Sequence, residues 1–303
     1  MNKELARELI GAGVHFGHAA SRWNPKMKPY IFGKRGMIHI INVKETLKGL
    51  MIAEKLLTTV VSGGRDVVFV GTKRQAKKAV QGASEKCGMH YISERWLGGT
   101  LTNFRTIRSR LQRLEELEAM EASGKIEAQS KKQGARLKRE LNKIKTNLDG
   151  VRKMSRMPGV LIAIDAKKEY IALREARKLG IPTIAVIDTD SDPDTVDVAI
   201  PANDDSIKAL EILMNQLATA IAEGKTMVKQ ADVTAMAGDR AQKPRSRRRV
   251  LASAKEQDAQ PEAASETPAA VPEATPEAPV VEVPAADVPD VSKTTEATET
   301  AAQ

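Results

Sequence analysis

Five short apolar runs set the frame of this chain: Asp66–Val70, Met89–Ile92, Val160–Ile164, Thr183–Ile187 and Asp197–Ile200. Each is short and largely apolar, as a strand covered on both faces must be. Helical stretches lie between or beside them. In Val43–Val61, Leu47, Leu50, Met51, Leu57, Val60 and Val61 share one face, and Gly63-Gly64 stops the helix. A second helix, Lys168–Leu179, ends at Gly180 with Pro182 behind it. This alternation predicts an α/β fold built on a five-stranded parallel sheet with helices on both faces. Residues 1–100 and 157–226 are expected to form that domain as two separated pieces of chain.

Residues 101–156 interrupt it, with no strand signal. Phe104, Ile107, Leu111 and Leu114 step by three and four, as do Leu137, Leu141, Ile144, Leu148 and Val151. A polar segment with Gly124 and Gly134 lies between the two series. Two antiparallel helices zipped along a coiled-coil seam are the expected result. The insertion holds 15 bases and 7 acids. A solvated helix surface explains many of them, but less well the crowding of Arg105, Arg108, Arg110 and Arg113.

After about Met227 periodicity fades. Residues 227–303 are expected to be a disordered tail, with a basic arm at 240–249 and an acidic, Pro-, Ala- and Glu-rich stretch at 251–303. The latter has too little large apolar side chain to offset the entropy of ordering it.

Charge narrows the function. The net charge of +9 over 303 residues hides a split: residues 251–303 carry −9, so the remainder carries +18. A body that basic implies a polyanionic partner, most simply nucleic acid. A membrane is the competing polyanion, but no apolar run approaches the ~20 residues a spanning helix needs. The single Cys87 allows no internal disulfide, so a reducing cytoplasm is the expected location.

Basic residues gather at tight turns. Gly71-Thr72-Lys73-Arg74 follows the first strand run, and Arg95-Trp96-Leu97-Gly98-Gly99-Thr100 opens the insertion. Strand ends and helix N-termini are where α/β folds take phosphates. A nucleotide-binding enzyme using the strand-end crevice is therefore the alternative reading. Neither GxxxxGK[ST] nor GxGxxG is present, which favours a turn offering Lys73 and Arg74 to RNA phosphate. Lys26, Lys28, Lys34, Arg35, Lys73, Arg74, Arg95, Arg105, Arg108 and Arg110 are the expected RNA contacts. Trp23, Tyr30, Phe32 and Trp96 lie among these bases. Any of them suits stacking on a nucleotide, although the apolar neighbours of Trp96 assign it to the core.

His18 can meet the acids Asp188, Asp204 and Asp205 only if the fold joins them. A divalent metal of the zinc or manganese kind would then find mixed His/Asp ligands. The competing reading places Asp204 and Asp205 in the first turn of a helix, and Asp188 in a turn before Pro193. No cofactor is otherwise required. Ser191, His18 and Asp188 lack the nucleophile elbow of a hydrolase, and no catalytic residues are assigned.

Several motifs together are more specific. Gly11-x-Gly13-Val-His-Phe-Gly-His18, Trp23-Asn-Pro-Lys-Met-Lys-Pro29, Ile31-Phe-Gly33 and His39-Ile-Ile-Asn42 open the series. Phe69-Val-Gly-Thr-Lys-Arg74, Arg95-Trp-Leu-Gly-Gly99, Leu101-Thr-Asn103, Asp165-Ala166 and Gly180-Ile-Pro182 continue it. Asp188-Thr, Ser191-Asp-Pro-Asp194, Ile200-Pro and Asn203-Asp-Asp205 complete it. In this order, across about residues 3–226, they resemble the bacterial family of the second protein of the small ribosomal subunit. The resemblance implies a flavodoxin-like three-layer fold with a helical hairpin, and a structural role without catalysis. It implies binding to small-subunit ribosomal RNA at the head–body junction, in the cytoplasm. It also implies contact with neighbouring ribosomal proteins, among them the large messenger-binding protein of the small subunit. The acidic tail has no counterpart in the pattern.

Overall fold

The computed structural model describes residues 3–126 and 130–241, with side chains of the final helix described up to residue 227. The chain runs α1 (Lys3–Gly11), β1 (Phe16–Ala19), β2 (Ile31–Arg35), β3 (Ile38–Ile41), α2 (Val43–Ser62), β4 (Val67–Val70), α3 (Ala76–Cys87) and β5 (His90–Ile92). The helices α4 (Phe104–Ala122) and α5 (Lys131–Leu148) follow. Then come β6 (Val160–Ile164), α6 (Tyr170–Lys178), β7 (Thr183–Ile187), β8 (Val198–Pro201) and α7 (Ile207–Ala241).

The five expected strands form one parallel sheet in the order β5-β4-β6-β7-β8. In order of appearance this is 2-1-3-4-5, the flavodoxin-like winding. Every residue of β4, β6 and β7 is buried. Alternate side chains sort to opposite faces, as a two-residue repeat requires. Phe69, Ile162, Ile164, Ile184 and Val186 pack with α2, α3 and α7, whereas Val68, Val70, Leu161, Ala163 and Ile187 pack on the other side with α6 and the inserted helices. The result is three layers with an apolar core on each face of the sheet.

Local chemistry sets the helix ends. The Asn42 side chain accepts the Lys44 N–H at 3.1 Å and caps α2. Gly88 ends α3 in the left-handed region at φ 58°. Gly49, inside α2, has a different task. A Cβ there would collide with the Ala199 carbonyl oxygen and stand 3.2 Å from the Ile200 Cα, so α2 can lie close on β8 only without a side chain. Gly49→Ala is expected to lower stability by roughly 1–3 kcal/mol through overpacking. Helix propensity alone would predict a gain of about 1 kcal/mol. Urea unfolding distinguishes the two signs.

The insertion forms the expected pair. Ile107, Leu111, Leu114 and Leu117 of α4 are buried, as are Leu141, Ile144 and Leu148 of α5. Arg113 reaches Glu140 at 3.6 Å and Arg152 reaches Glu118 at 2.6 Å. As α4 advances from Arg108, which reaches the Ser155 carbonyl at 3.5 Å, to Arg113, which reaches Glu140, the partner moves back along the chain, so the helices are antiparallel.

Two features depart from expectation. A second sheet, antiparallel in the order β1-β3-β2, occupies the N-terminal region. The fading periodicity after Met227 does not end α7, which continues to Ala241. The acidic stretch 251–303, and the basic arm beyond Ala241, lie outside the described residues.

Candidate functional site

Going from β4 to β6, the winding reverses direction, and the segments after those strands meet there. Gly71 follows β4 and packs so tightly on α3 that a Cβ would stand 2.8 Å from Val80 Cγ2. Thr72 is then held by Glu169, whose carboxylate accepts from the Thr72 N–H at 3.1 Å and from its hydroxyl. This aims the next side chain across the sheet ends. Lys73 Nζ lies 2.8 Å from Asp204, 3.1 Å from Asp165 and 3.2 Å from Asp205. Lys73 was expected to face RNA phosphate. Its side chain is instead only 16 % exposed and its charge is answered inside the protein.

Asp165 adopts φ 70°, the left-handed region, where a short polar side chain is best tolerated. Its Oδ1 accepts the N–H groups of Lys167 at 3.1 Å and Lys168 at 3.2 Å, leaving Oδ2 for Lys73. Burial on its own would lower the Lys73 pKa, but Asp204 and Asp165 override it and hold the ammonium protonated beyond the usual lysine range.

His18 reaches this cluster because Gly17 permits β1 to approach the turn after β7. A Cβ on Gly17 would stand 2.6 Å from Thr189 Cγ2. The His18 N–H donates to Thr189 Oγ1 at 3.0 Å, and the ring Nδ1 lies 2.7 Å from Asp188 Oδ2. The hydrogen bond with Asp188 raises the His18 pKa to about 9. Ring Nε2 is 3.8 Å from Asp205 Oδ2. Asp204 is wholly buried, and burial pushes its carboxyl up to about 7, with Asp165 and Asp188 adding to the push. Asp204 and Asp205 sit just ahead of α7 rather than in its first turn. The fold thus assembles His18, Asp188 and Asp204 from three distant segments, with Asp205 at the rim.

The expected basic contacts divide. Lys28, Lys34, Arg35, Arg74 and Arg95 are exposed. Lys26 is exposed but paired with Asp192 at 2.9 Å and Asp194 at 2.7 Å. Arg105 and Arg108 line one groove on α4 with Phe104 and Gln112. Arg110 lines another with Leu97, Lys143 and Asn147. The α4 arginines therefore lie on both sides of the buried stripe. Among the aromatics, Trp96 is in the core and Phe32 is 79 % exposed beside Lys34 and Arg35. Trp23 is half-buried, its ring 5.2 Å from His39.

One residue that the sequence did not single out organises the turn before α4. Glu175 of α6, only 8 % exposed, accepts at Oε1 from Trp96 Nε1 at 3.2 Å and from the Gly99 N–H at 2.7 Å. Its Oε2 accepts the N–H groups of Leu101 at 3.0 Å and Thr102 at 3.2 Å, and the Thr102 hydroxyl at 3.3 Å. Burial alone would raise the pKa of this carboxyl; the ring of donors holds it below the usual range. The basic turn is thereby fixed to the sheet domain.

Comparison with known proteins adds independent information. The profile of the family described as ribosomal protein S2 matches residues 9–224. The small ribosomal subunit protein uS2 of Rhodopirellula baltica is 56 % identical over 225 residues, covering 74 % of this chain and 86 % of that protein. The uS2 of Geotalea uraniireducens is 46 % identical over 224 residues, covering 74 % and 88 %. The uS2 of Koribacter versatilis is 46 % identical over 233 residues, covering 75 % and 77 %.

Proposed function

The chain belongs to the ribosomal protein S2 family, and on that premise we propose that it is a structural part of the small ribosomal subunit that grips folded ribosomal RNA at the head–body junction. The observation that carries the RNA contact is the separation of charges. Lys73 is committed to internal aspartates, while Lys28, Lys34, Arg35, Arg74, Arg95, Arg105, Arg108 and Arg110 stand at the surface. Exposed cations of this kind bind a phosphate backbone through counterion release, and duplex RNA is recognised mostly by shape. Phe32, exposed among bases, suits stacking on an unpaired nucleotide.

Docking of the large messenger-binding protein of the small subunit is part of the same proposal and rests on the sequence resemblance. The nucleotide-enzyme alternative has little support. The crevice at the winding reversal is lined by Asp165, Asp188, Asp204 and Asp205, which repel a polyphosphate. Among the described residues no helix is long and apolar enough to cross a membrane.

Cosedimentation of the full chain with small subunits depleted of their own copy tests the reading. With six to ten phosphate contacts, affinity is expected to fall roughly 10³–10⁵-fold between about 50 and 200 mM salt. Binding insensitive to salt would overturn it.

A further inference from the structure

We propose that the outward face of α6 is a further RNA contact, one that takes an unpaired segment with Tyr170 as its stacking platform and Lys168, Arg174 and Lys178 on its phosphates. It rests on the RNA reading above and adds a helix that carries none of the contacts named there. Residues 167–179 hold five bases and two acids, Glu169 and Glu175. Both acids are buried: Glu169 accepts from Thr72, and Glu175 holds the turn before α4. Ala172, Leu173 and Ala176 pack toward the sheet. The side left exposed carries all five bases with Tyr170, Ile171 and Leu179, and no carboxylate of its own.

Two of the five bases are engaged within the protein, Lys167 with Asp190 at 3.0 Å and Arg177 with the Asp194 carbonyl at 2.5 Å. Lys168, Arg174 and Lys178 have no ion-pair partner among the described residues. The helix dipole accounts for cations in the last turn, where Arg177 and Lys178 sit. It does not account for Lys168, which stands at the positive end of the same dipole. Arg174 and Lys178, four residues apart on one stripe, also repel each other. A polyanion laid along the helix offsets both costs.

Tyr170 selects the kind of polyanion. It is 52 % exposed, and the guanidinium carbon of Arg174 lies over its ring, 5.7 Å from the centre. The cation steadies the ring by attraction to its π-face. An aromatic and an arginine side by side, flanked by lysines, are what an unpaired strand needs: bases stack on the flat groups while phosphates meet the charges. An acidic polypeptide answers the charges but offers nothing to stack on the ring. Glu175, on the inner side of the same helix, anchors the turn that leads to Arg105, so the face adjoins the start of α4.

The test titrates the full chain into a short fluorescent oligouridine and, in parallel, cosediments it with small subunits depleted of their own copy. Tyr170→Ala should weaken oligouridine binding roughly 5–150-fold, the loss of one stacked base, and leave the salt slope unchanged. Tyr170→Phe, which keeps the ring, should bind as wild type does. Changing Lys168, Arg174 and Lys178 together to Gln should flatten the slope by about 2, at about 0.7 per phosphate contact on a single strand. Polyglutamate should bind more weakly than oligouridine. Tighter binding of polyglutamate, lost in the triple variant, would assign the face to an acidic protein and overturn the proposal. If the wild-type chain joins small subunits but oligouridine binds wild type, Tyr170→Ala and the triple variant alike, the α6 contact falls and the RNA reading stands. If the wild-type chain binds neither, both fall.

Discussion

Replacing Arg105, Arg108 and Arg110 together with Glu is expected to abolish most stable association with the small subunit while leaving the fold intact. Among the described residues neither Arg105 nor Arg110 has an ion-pair partner, and Arg108 reaches only the Ser155 carbonyl at 3.5 Å. Their removal therefore breaks little inside the protein. Each phosphate contact contributes about 0.9 to the slope of log affinity against log salt. Losing three should flatten that slope by about 2–3, and at ~0.1 M salt affinity should drop roughly 10²–10³-fold. The two grooves permit a finer test. If only the Arg105 and Arg108 side of α4 faces RNA, Arg110→Glu alone will leave the slope nearly unchanged. Particle occupancy equal to wild type in the triple variant would remove α4 from the RNA face.

The second large effect concerns Glu175. Glu175→Gln keeps size and shape but replaces one acceptor oxygen with an NH₂ group. Whichever way the amide turns, it points a donor at donors that the carboxylate now satisfies, the Trp96 ring and Gly99 N–H on one side or the Leu101 and Thr102 N–H groups on the other. Stranding them should cost roughly 3–5 kcal/mol, and for a domain of this size the melting temperature should fall by roughly 6–20 °C. The pH dependence has a definite sign. Because the folded-state pKa is held low, the carboxylate's contribution is present above the ordinary Glu value near ~4.3 and is lost as pH falls through the depressed one. The gap between wild type and variant should therefore narrow in acid. A difference under about 1 kcal/mol at neutral pH would show that the turn is held by other contacts.

Much of the architecture was readable before any coordinates. The five strands lie within a residue of their apolar runs, and the central three, buried on both faces, leave no polar position to blur the pattern. The inserted helices were equally legible, since Leu and Ile at intervals of three and four admit few other structures. The antiparallel sheet was not. Its strands are four or five residues long, carry Gly17, Gly33, Lys34 and Arg35, and lie half in solvent, so no alternation survives. Glu175 was missed because a glutamate flanked by Arg174 and Arg177 reads as a solvent-facing helix residue. Its burial comes from a loop some seventy positions earlier. Lys73 shows the opposite error. A basic turn at a strand end looks the same whether the ammonium faces solvent or curls back over the sheet, and Asp204 decides the matter from 131 residues away. The grouping of His18 with the aspartates was legible only as a condition, because it needs the close approach that Gly17 allows.

The packing of α7 has a consequence for the order in which the molecule is made. That helix lies against both α2 and α3 and helps bury the apolar residues of one sheet face, while Asn203 and Ser206, just before it, donate to the Gly13 and Ala12 carbonyls. During synthesis this face therefore has only part of its cover, from α2 and α3, until the last helix leaves the exit tunnel, and the Gly13 and Ala12 carbonyls wait for side-chain donors from nearly the last segment. A nascent chain stalled before residue 207 should bind holding chaperones and yield to protease, whereas one released beyond residue 241 should close as a unit.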